Sequence, residues 1–432
     1  MALKIKKKVN EGQTKAVITV LGMIGTHDRD NDEIQEAEYI SKITRLKSAK
    51  KLNTLPLLIE NYAGNYKIIP IYTQKAQEIQ IKVLMKYGLD ISFDDGILIN
   101  DSEDFGEIFA SIDKLLSTYD KVIIDVSHGF RHLPLLVLID LVIQNFKDTE
   151  KIEHILFAKE TPQEKQYEII DLKEYMELAN ISFILTNFHN NFTVSNHIEV
   201  EKYKPLLDAL NNFSNDIMAL SLNHLFNKSS KNLIKKLHEI DDVSIKQQAD
   251  KLSKEIETLT NYEGKKRYQT YFDLSYVLFD KNYMLVSLAL LYESVRLYIK
   301  TTIKKNEKEL VEKIEIFYKN DLYAIGDFFV KFKNEDFIYE YFKNDWEKNK
   351  KTKAKPIIIN QNEFSRIKQL FPKALLKTYK YDISSSESTL IDAIAYTRNN
   401  LAHGNIKTEY KDIKKGIKEL IEQYRKNCIN LS

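Results

Sequence analysis

Apolar residues in the first 175 positions fall into short runs separated by helical patterns, as in a sheet whose strands are buried on both faces. The runs predict strands, and apolar spacings of three and four residues predict helices. We predict strands over residues 16–21, 67–72, 97–99, 121–126, 152–157 and 167–170, and helices over 74–87 and 133–146. The alternation of strand and helix predicts a doubly wound α/β sheet.

Helical spacing dominates the chain from about residue 203 onward. Helices are predicted over 276–299 and 310–318, and a strand-like run recurs only at 356–359. The predicted fold class is therefore α/β plus all-α. We expect an α/β domain over 1–175, a connector over 176–215 and a helical domain over 216–432. A lysine-rich insert over 346–355 is typical of a solvated loop, with RNA contact as the alternative.

One C-terminal helix carries charged and titratable residues on its apolar side. Ser384 and Glu387 have the spacing of a capping box, which predicts a helix start immediately after Ser384. The apolar stripe of this helix comprises Leu390, Ile391, Ile394, Ala395, Leu401 and Ala402. Arg398 lies on the same stripe, so its guanidinium either pairs with another group or faces a cavity. Gly404 predicts the helix end and leaves His403 at the exit.

Arg398 and His403 have no nucleophilic side chain beside them, which suits RNA cleavage without a metal. The ribose 2′-hydroxyl is then the nucleophile. Histidine can move the protons near neutral pH, and arginine matches phosphate oxygens with a planar fork of donors. The structural alternative makes His403 a helix C-cap stabilised by the helix dipole and Arg398 a buried ion-pair partner.

Two of the predicted strands end in segments that carry glycine and hydroxyl groups. The first strand leads into Gly22-Met23-Ile24-Gly25-Thr26, and the strand over 121–126 leads into Ser127-His128-Gly129-Phe130-Arg131. Ligands of parallel sheets bind beyond the carboxyl ends of the strands, where loop amides and helix N-termini favour phosphate. A phosphate- or nucleotide-binding surface is one interpretation. The alternative is a pair of ordinary tight turns, with His128 and His132 as helix-start residues.

Composition limits the class of protein without identifying a function. The chain of 432 residues is 43% hydrophobic and has 25 Tyr and 21 Phe, enough for sizeable cores, and its net charge is only +2. No global field therefore argues for nucleic acid or membrane. The single cysteine, Cys428, excludes a disulfide framework and a cysteine-based zinc site. No signal peptide or membrane span is predicted, so we expect a cytoplasmic protein.

The C-terminal segment resembles the Arg-polar-x-x-x-His signature of HEPN ribonucleases. Arg398, Asn399 and His403 stand in the matching positions. The resemblance implies that these three residues are catalytic and that the helical domain is a HEPN nuclease.

A second segment, Asp125-Val126-Ser127-His128-Gly129, strongly resembles the Asp-x-Thr-His-Gly signature of a CRISPR-associated family, with Ser127 in place of threonine. Members join an N-terminal CARF domain, a Rossmann-like sensor of cyclic oligoadenylate, to a C-terminal HEPN ribonuclease. Both signatures occur here in that order, so the resemblance covers nearly the whole chain. It implies that residues 22–26 and 127–131 bind cyclic tetra- or hexa-adenylate as an activator, with no metal and no cofactor.

The two resemblances together predict a metal-independent endoribonuclease of type III CRISPR antiviral defence, which cleaves single-stranded RNA and leaves 2′,3′-cyclic phosphate ends. Because each chain has one His403, two proton-transfer groups require a homodimer or a higher even oligomer with a composite site on its two-fold axis. Slow cleavage of the activator by the sensor domain is compatible with this interpretation. The rivals are a CARF-type transcription regulator whose helical half binds nucleic acid without catalysis, and a free-standing HEPN toxin, which would not need the first 175 residues.

Overall fold

The computed structural model describes residues 14–22, 35–100, 104–128, 132–148, 150–194, 198, 200–261, 264–331, 361–381, 387–404 and 408–430. The chain divides into two compact units. The α/β unit comprises Met1–Phe188, Thr193–Asp208 and Asp242–Gln248, and the helical unit comprises His189–Phe192, Ala209–Asp241 and Ala249–Ser432. The predicted fold class, an α/β part followed by a largely helical part, is confirmed at this level.

Eight strands of the described residues form one sheet in the α/β unit. They are β1 (Lys15–Val20), β2 (Ala37–Ser41), β3 (Ala49–Lys51), β4 (Lys67–Tyr72), β5 (Ile97–Leu98), β6 (Lys121–Asp125), β7 (Ile152–Glu160) and β8 (Gln166–Asp171). Their spatial order is β3-β2-β8-β7-β6-β1-β4-β5. Five neighbouring strands of this order, β7, β6, β1, β4 and β5, are parallel to one another. Strand β8 runs antiparallel to β7, and β3 runs antiparallel to β2.

Helices cover both faces of the sheet, which is why its central strands are apolar on both sides. These helices are α1 (Thr54–Tyr62), α2 (Gln74–Tyr87), α3 (Phe105–Thr118), α4 (His132–Lys147) and α5 (Lys173–Asn191). Along β1, Val17 belongs to the core shared with α1 and α2. Ala16, Ile18 and Val20 belong to the opposite core, shared with α3 and α4.

The sheet is mixed, which is compatible with the predicted doubly wound α/β arrangement, because such sheets often carry antiparallel strands beside their parallel ones. The six predicted strands are present, with boundaries within three residues of those expected. The pair β2 and β3 was not predicted, because Ala37–Ser41 and Ala49–Lys51 contain too few apolar residues to give a strand pattern. Strand β2 pairs with β8 and β3 pairs with β2, which extends the sheet beyond β8.

After α5 the described chain is mainly helical. The helices are α6 (Lys204–Met218), α7 (Leu222–His224), α8 (Ser230–His238), α9 (Val243–Thr260), α10 (Arg267–Asp280), α11 (Met284–Lys304), α12 (Lys308–Phe317), α13 (Leu322–Lys331), α14 (Gln361–Leu370), α15 (Leu390–Ala402) and α16 (Tyr410–Tyr424). A π-helical turn, Leu225–Ser229, joins α7 to α8. Helix α11 is central, because it packs against α10, α12, α13, α15 and α16.

Two predictions for the helical part are corrected. The single helix expected over 276–299 is broken between α10 and α11, where Asn282 has a left-handed backbone with φ of 66°. Asparagine tolerates this conformation, so the chain can turn without a glycine. The helical unit also contains a short antiparallel pair, β9 (Thr378–Lys380) and β10 (Glu387–Thr389), where no strand was expected.

The residues predicted as a connector, 176–215, lie largely in α5 and α6. The assignment of 1–175 and 216–432 as sensor and nuclease domains remains a prediction. The lysine-rich insert over 346–355 and the strand-like run over 356–359 lie outside the described residues. No helix within the described ranges is long and apolar enough to span a membrane.

Candidate functional site

The predicted ligand-binding segments follow two strands that are neighbours in the sheet. Strands β1 and β6 pair in parallel, with Thr19 opposite Asp125. From β1 the chain first forms β4 and β5 on one side of this strand and then reverses direction across the sheet to form β6 and β7 on its other side. Such a reversal of strand order is where open α/β sheets commonly bind ligands. The structure thus places Gly22, Ser127 and His128 at one edge, whereas residues 23–26 and 129–131 lie outside the described part.

Asp125 organises this edge, which we call the strand-end site (Gly22, Asn53, Thr54, Asp125, Ser127 and His128). Its side chain is fully buried. Oδ2 accepts hydrogen bonds from the hydroxyls of Thr19 at 3.0 Å and Thr54 at 2.7 Å. Oδ1 accepts from the backbone N–H of Ser127 at 3.0 Å and from its hydroxyl at 2.5 Å. Four donors satisfy a carboxylate that would otherwise be costly to bury.

Ser127 is held from two directions. Its hydroxyl donates to Asp125 and accepts the backbone N–H of Ala158 at 2.9 Å. The hydroxyl proton is therefore used in the hydrogen bond to Asp125, and a direct bond from Ser127 to a ligand remains a prediction.

His128 closes the network toward the start of α1. Its Nε2 accepts the backbone N–H of Thr54 at 3.4 Å, which requires the neutral ring. Burial lowers the pKa of His128, and the nearby carboxylate of Asp125 opposes that shift. The neutral form is thus favoured by both the geometry and the surroundings.

Gln80 of α2 ties the first strand end to α1. Its side-chain amide donates to the carbonyl oxygen of Gly22 at 3.0 Å, and its Oε1 accepts from Nδ2 of Asn53 at 2.8 Å. Asn53 in turn caps α1 by accepting the backbone N–H of Leu55 at 3.1 Å. The start of α1 and the loop after β6 therefore lie at one edge. The backbone N–H groups of Thr54 and Leu55 already donate to His128 and Asn53, and position 56 is proline, so the attraction of this edge for an anionic ligand rests on the positive end of the helix dipole.

The C-terminal helix begins later than the sequence predicted. Helix α15 starts at Leu390, and Glu387 lies in β10, while Ser384 and Ser385 are outside the described residues. Thr389 is the N-cap, because its hydroxyl accepts the backbone N–H of Asp392 at 3.2 Å and donates to the Asp392 carboxylate at 2.6 Å. A threonine followed by an acid three residues later is itself a capping-box pattern, so the sequence carried a signal for this later start as well.

Arg398 is half-buried on α15 and has no carboxylate of the described residues within 4.0 Å of its guanidinium. Nε and Nη2 donate to the side-chain oxygen of Asn399 at 3.2 and 2.8 Å. The guanidinium carbon lies 4.7 Å from the ring centre of Tyr292 on α11. Two of the five N–H donors of an arginine are used, and the other three have no partner among the described residues, so they are available to a ligand. The predicted alternative, a buried ion pair of Arg398, is therefore not observed in this part of the chain.

A second arginine, Arg296, flanks Tyr292 with its guanidinium carbon 5.4 Å from the ring centre. It is 1% exposed, donates to Glu293 at 2.7 Å and lies 3.9 Å from Asp327. Burial raises the pKa of Tyr292, and the two arginines oppose the rise. Tyr292 is thus a neutral platform between a paired, buried cation and a cation with free donors.

His403 follows the last residue of α15, as the sequence predicted. Its backbone N–H donates to the carbonyl of Asn399 at 3.0 Å, and Gly404 next to it has a left-handed φ of 65°. The side chain is exposed, like that of Asn399. His403 thus combines the C-cap position with an exposed imidazole, which agrees with both the structural and the catalytic interpretations.

Several residues of these sites were not predicted: Thr19, Asn53, Thr54, Gln80 and Tyr292. Gln80 had a recognisable signal, because it lies four residues from both Ala76 and Leu84 on the buried stripe of α2. The described residues contain no group of three or more His, Cys, Asp or Glu side chains arranged to hold a metal. Neither a protein family model nor a curated protein matches this sequence.

Proposed function

We propose that this chain is an endoribonuclease that cleaves single-stranded RNA without a metal, under the control of a cyclic oligoadenylate bound by the α/β unit. The observation that carries the proposal is the state of Arg398. It lies near the end of a helix, on a tyrosine ring and about one turn before an exposed histidine, and three of its donors have no partner in the described part of the chain.

The chemistry follows from what the two side chains can do. The ribose 2′-oxygen attacks the adjacent phosphorus, the P–O5′ bond breaks, and a 2′,3′-cyclic phosphate and a 5′-hydroxyl result. One proton leaves the 2′-hydroxyl and one reaches O5′, and an imidazole such as that of His403 can perform either transfer. Arg398 would bind the phosphate oxygens as negative charge builds on them. Asn399 would hold the guanidinium in position for this contact.

The contrast between Arg296 and Arg398, which both lie at Tyr292, supports a functional role for Arg398. Arg296 is buried and balanced by Glu293 and Asp327, so it is sufficiently explained by the fold. Arg398 has no such balance, although it lies on the same ring. A cation held in place but left unpaired is what a phosphate-binding site requires.

A second copy of the chain would supply the second imidazole. Helix α4 supports such a partner, because its outer face carries a continuous apolar stripe of Leu135, Ile139 and Ile143, which are 60%, 54% and 40% exposed. These residues are spaced by four and lie on one side of the helix. Exposed apolar patches of this kind mark protein contacts more often than isolated apolar residues do. A homodimer, or a higher even oligomer, is therefore part of the proposal.

The strand-end site supports the sensing half of the proposal. Two strand ends meet at the reversal of strand order, next to the N-terminus of α1, and a buried polar network holds them there. Cyclic tetra- or hexa-adenylate carries several phosphates in a ring, and two copies of this edge in a dimer would match its symmetry. Activation of a nuclease by such a ring belongs to type III CRISPR defence, and slow cleavage of the ring at this edge is part of the same hypothesis.

A nuclease assay on fluorescent RNA, with EDTA present and cyclic tri-, tetra- or hexa-adenylate added in turn, tests the proposal. We expect cleavage that depends on one ring size and resists EDTA, with an all-DNA strand of the same sequence left intact. Intact RNA under every condition, together with tight binding of duplex DNA, would instead favour a regulator without catalysis.

A further inference from the structure

The helical unit contains a cavity of about 180 Å³ between the π-helical turn and the start of α10. Two asparagines, two aromatic rings and two cations contribute to its lining, with Thr270 among them. None of the described residues that line it is Asp or Glu. The cavity uses neither Arg398 nor His403.

Thr270 gives the cavity an unsatisfied polar group. It is 2% exposed, and its hydroxyl has no hydrogen-bond partner in the described part of the chain. A buried hydroxyl without a partner destabilises a fold, so a ligand that bonds to it would regain that loss. Threonines elsewhere in these helices, such as Thr301 and Thr302, satisfy their hydroxyls on the preceding turn.

The walls of the cavity are flat and aromatic. The rings of Phe226 and Tyr271 are nearly parallel, with centres 6.0 Å apart and planes inclined by 24°. Phe226 belongs to the π-helical turn, a rare local structure that occurs frequently at functional sites. Side-chain amides of Asn223 and Asn227 stand beside the rings. Aromatic faces with nearby amides are suited to a planar heterocycle.

Positive charge gathers at the same place. Arg267 is the first residue of α10, and its guanidinium carbon lies 5.6 Å from the ring centre of Tyr271. Lys265 also lines the cavity and is 2.9 Å from Asp273. The first turn of a helix adds its own attraction for anions. A phosphate next to a base would therefore find donors here.

The cavity and the Arg398 site have a neighbour in common. Burial raises the pKa of both Tyr271 and Tyr292, and the carboxylate of Glu293 on α11 adds a smaller contribution to each; Tyr292 is the ring on which Arg398 lies. The turn of α11 that contains Glu293 thus lies near both the cavity and the Arg398 site. A second cavity of about 400 Å³ shares Phe226 as a wall with the first, and its lining includes both Lys231 and Glu257. Two cavities that share a wall suit successive units of a polymer.

We propose that this cavity binds one nucleotide of the single-stranded RNA substrate, with its base against Phe226 and Tyr271 and a phosphate on Arg267. This inference rests on the proposed function and adds a substrate-positioning site to it. The size agrees with one base, since pockets for whole small molecules usually have about 300–1,000 Å³.

Binding of a fully 2′-O-methylated RNA oligonucleotide, followed by fluorescence anisotropy, tests the proposal without cleavage, because this probe has no nucleophilic 2′-hydroxyl. Arg267→Ala and Thr270→Val should each weaken binding, the former by about tenfold, the size expected for loss of one nucleotide contact. Lys313→Ala, an exposed lysine of α12, and Thr301→Val are the matched controls and should bind like the parent protein.

Thermal unfolding of Thr270→Val separates a binding role from a structural one. Removal of an unpartnered buried hydroxyl should leave the melting temperature unchanged or raise it, while RNA binding falls. Parent-like RNA affinity in both Arg267→Ala and Thr270→Val would overturn the cavity proposal, even if the protein cleaves RNA. Weakened binding of the probe in a protein that cleaves no RNA would instead overturn the proposed function and leave the cavity as a nucleotide site.

Discussion

The guanidinium carbon of Arg398 lies 4.7 Å from the ring centre of Tyr292, so the cation is positioned by an aromatic face instead of a carboxylate. This distinction matters for binding an anion. A carboxylate partner would compete with phosphate for the same donors, whereas a ring holds the cation and leaves its edge free.

Tyr292 is therefore expected to act through Arg398. Tyr292→Phe keeps the ring and should retain RNA cleavage near the parent rate. Tyr292→Leu keeps apolar bulk without the ring and should lower kcat by about three- to thirtyfold, because a cation–π contact contributes roughly 0.5–2 kcal/mol. Steady-state cleavage of fluorescent RNA measures the difference. Equal rates in the two variants, at equal melting temperatures, would show that the ring does not position Arg398.

His403→Ala should reduce kcat by on the order of 10²–10⁴ if the imidazole transfers a proton. Arg398→Lys should also be severely impaired, because lysine keeps the charge but lacks the planar fork. His224→Ala is the control, since His224 belongs to the same unit and its Nδ1 is already paired with Asp216 at 2.6 Å. Product ends should resist phosphatase until acid opens the cyclic phosphate. Full activity in His403→Ala would remove the catalytic assignment.

Asp125→Asn should loosen the strand-end site. The buried carboxylate accepts four hydrogen bonds, and an amide presents an N–H₂ group where two of those donors point. We expect a loss of roughly 1–3 kcal/mol in unfolding free energy and weaker binding of cyclic oligoadenylate. Asp120→Asn is the control, an exposed acid just before the same strand. Isothermal calorimetry measures the binding of cyclic oligoadenylate, and denaturant titration measures the unfolding free energy. Unchanged values in both would contradict the role given to Asp125.

Ile139→Glu should shift the chain toward the monomer, because it places a charge in the middle of the exposed stripe on α4. Light scattering after size-exclusion chromatography measures the mass. Val243→Glu changes an isolated apolar residue that is 90% exposed and should leave the mass unchanged. A parent protein that is already monomeric at the concentrations of the nuclease assay would refute the composite-site hypothesis.

Asp140 on α4 makes stability depend on pH. Burial, and then the neighbouring carboxylate of Asp113, raise the pKa of Asp140 from 3.8 to about 6. The folded state therefore holds a proton that the unfolded chain has lost, and unfolding free energy falls as pH rises between those values. Asp140→Asn should gain stability relative to the parent across this window, on the order of 2 kcal/mol above pH 6.

Denaturant titrations at several pH values from 4 to 8 check the Asp140 prediction. Glu164→Gln, at an exposed position of the same unit, should follow the parent protein at each pH. A constant difference between Asp140→Asn and the parent would show that the carboxyl group does not titrate in this range.

The fold was predictable where local pattern and tertiary burial agree. Strand β4 and helix α2 begin and end at the predicted residues, because each is bounded by a clear change in periodicity. The break at Asn282 was not predictable, since apolar spacing continues through it and asparagine adopts a left-handed backbone without a glycine signal.

The sites were predictable only in part, because sequence marks a residue but not its partner. Arg398 was recognised by its place on an apolar stripe, and Gln80 occupies the same kind of position on α2. Its partners, Gly22 and Asn53, are separated from it by tens of residues and are brought near by the order of the strands. The same holds for Tyr292, which only the packing of α11 against α15 places under Arg398.

The amide of Gln80 has a mechanical consequence. It donates on one side and accepts on the other, so the carbonyl of Gly22 and the cap of α1 are coupled through one rigid group. Displacement of Gly22 by a ligand is therefore expected to disturb the cap of α1 as well. Glu or Leu at position 80 would not form both contacts, because Glu lacks the donor and Leu lacks both groups. Binding at the end of β1 would then alter the start of a neighbouring helix.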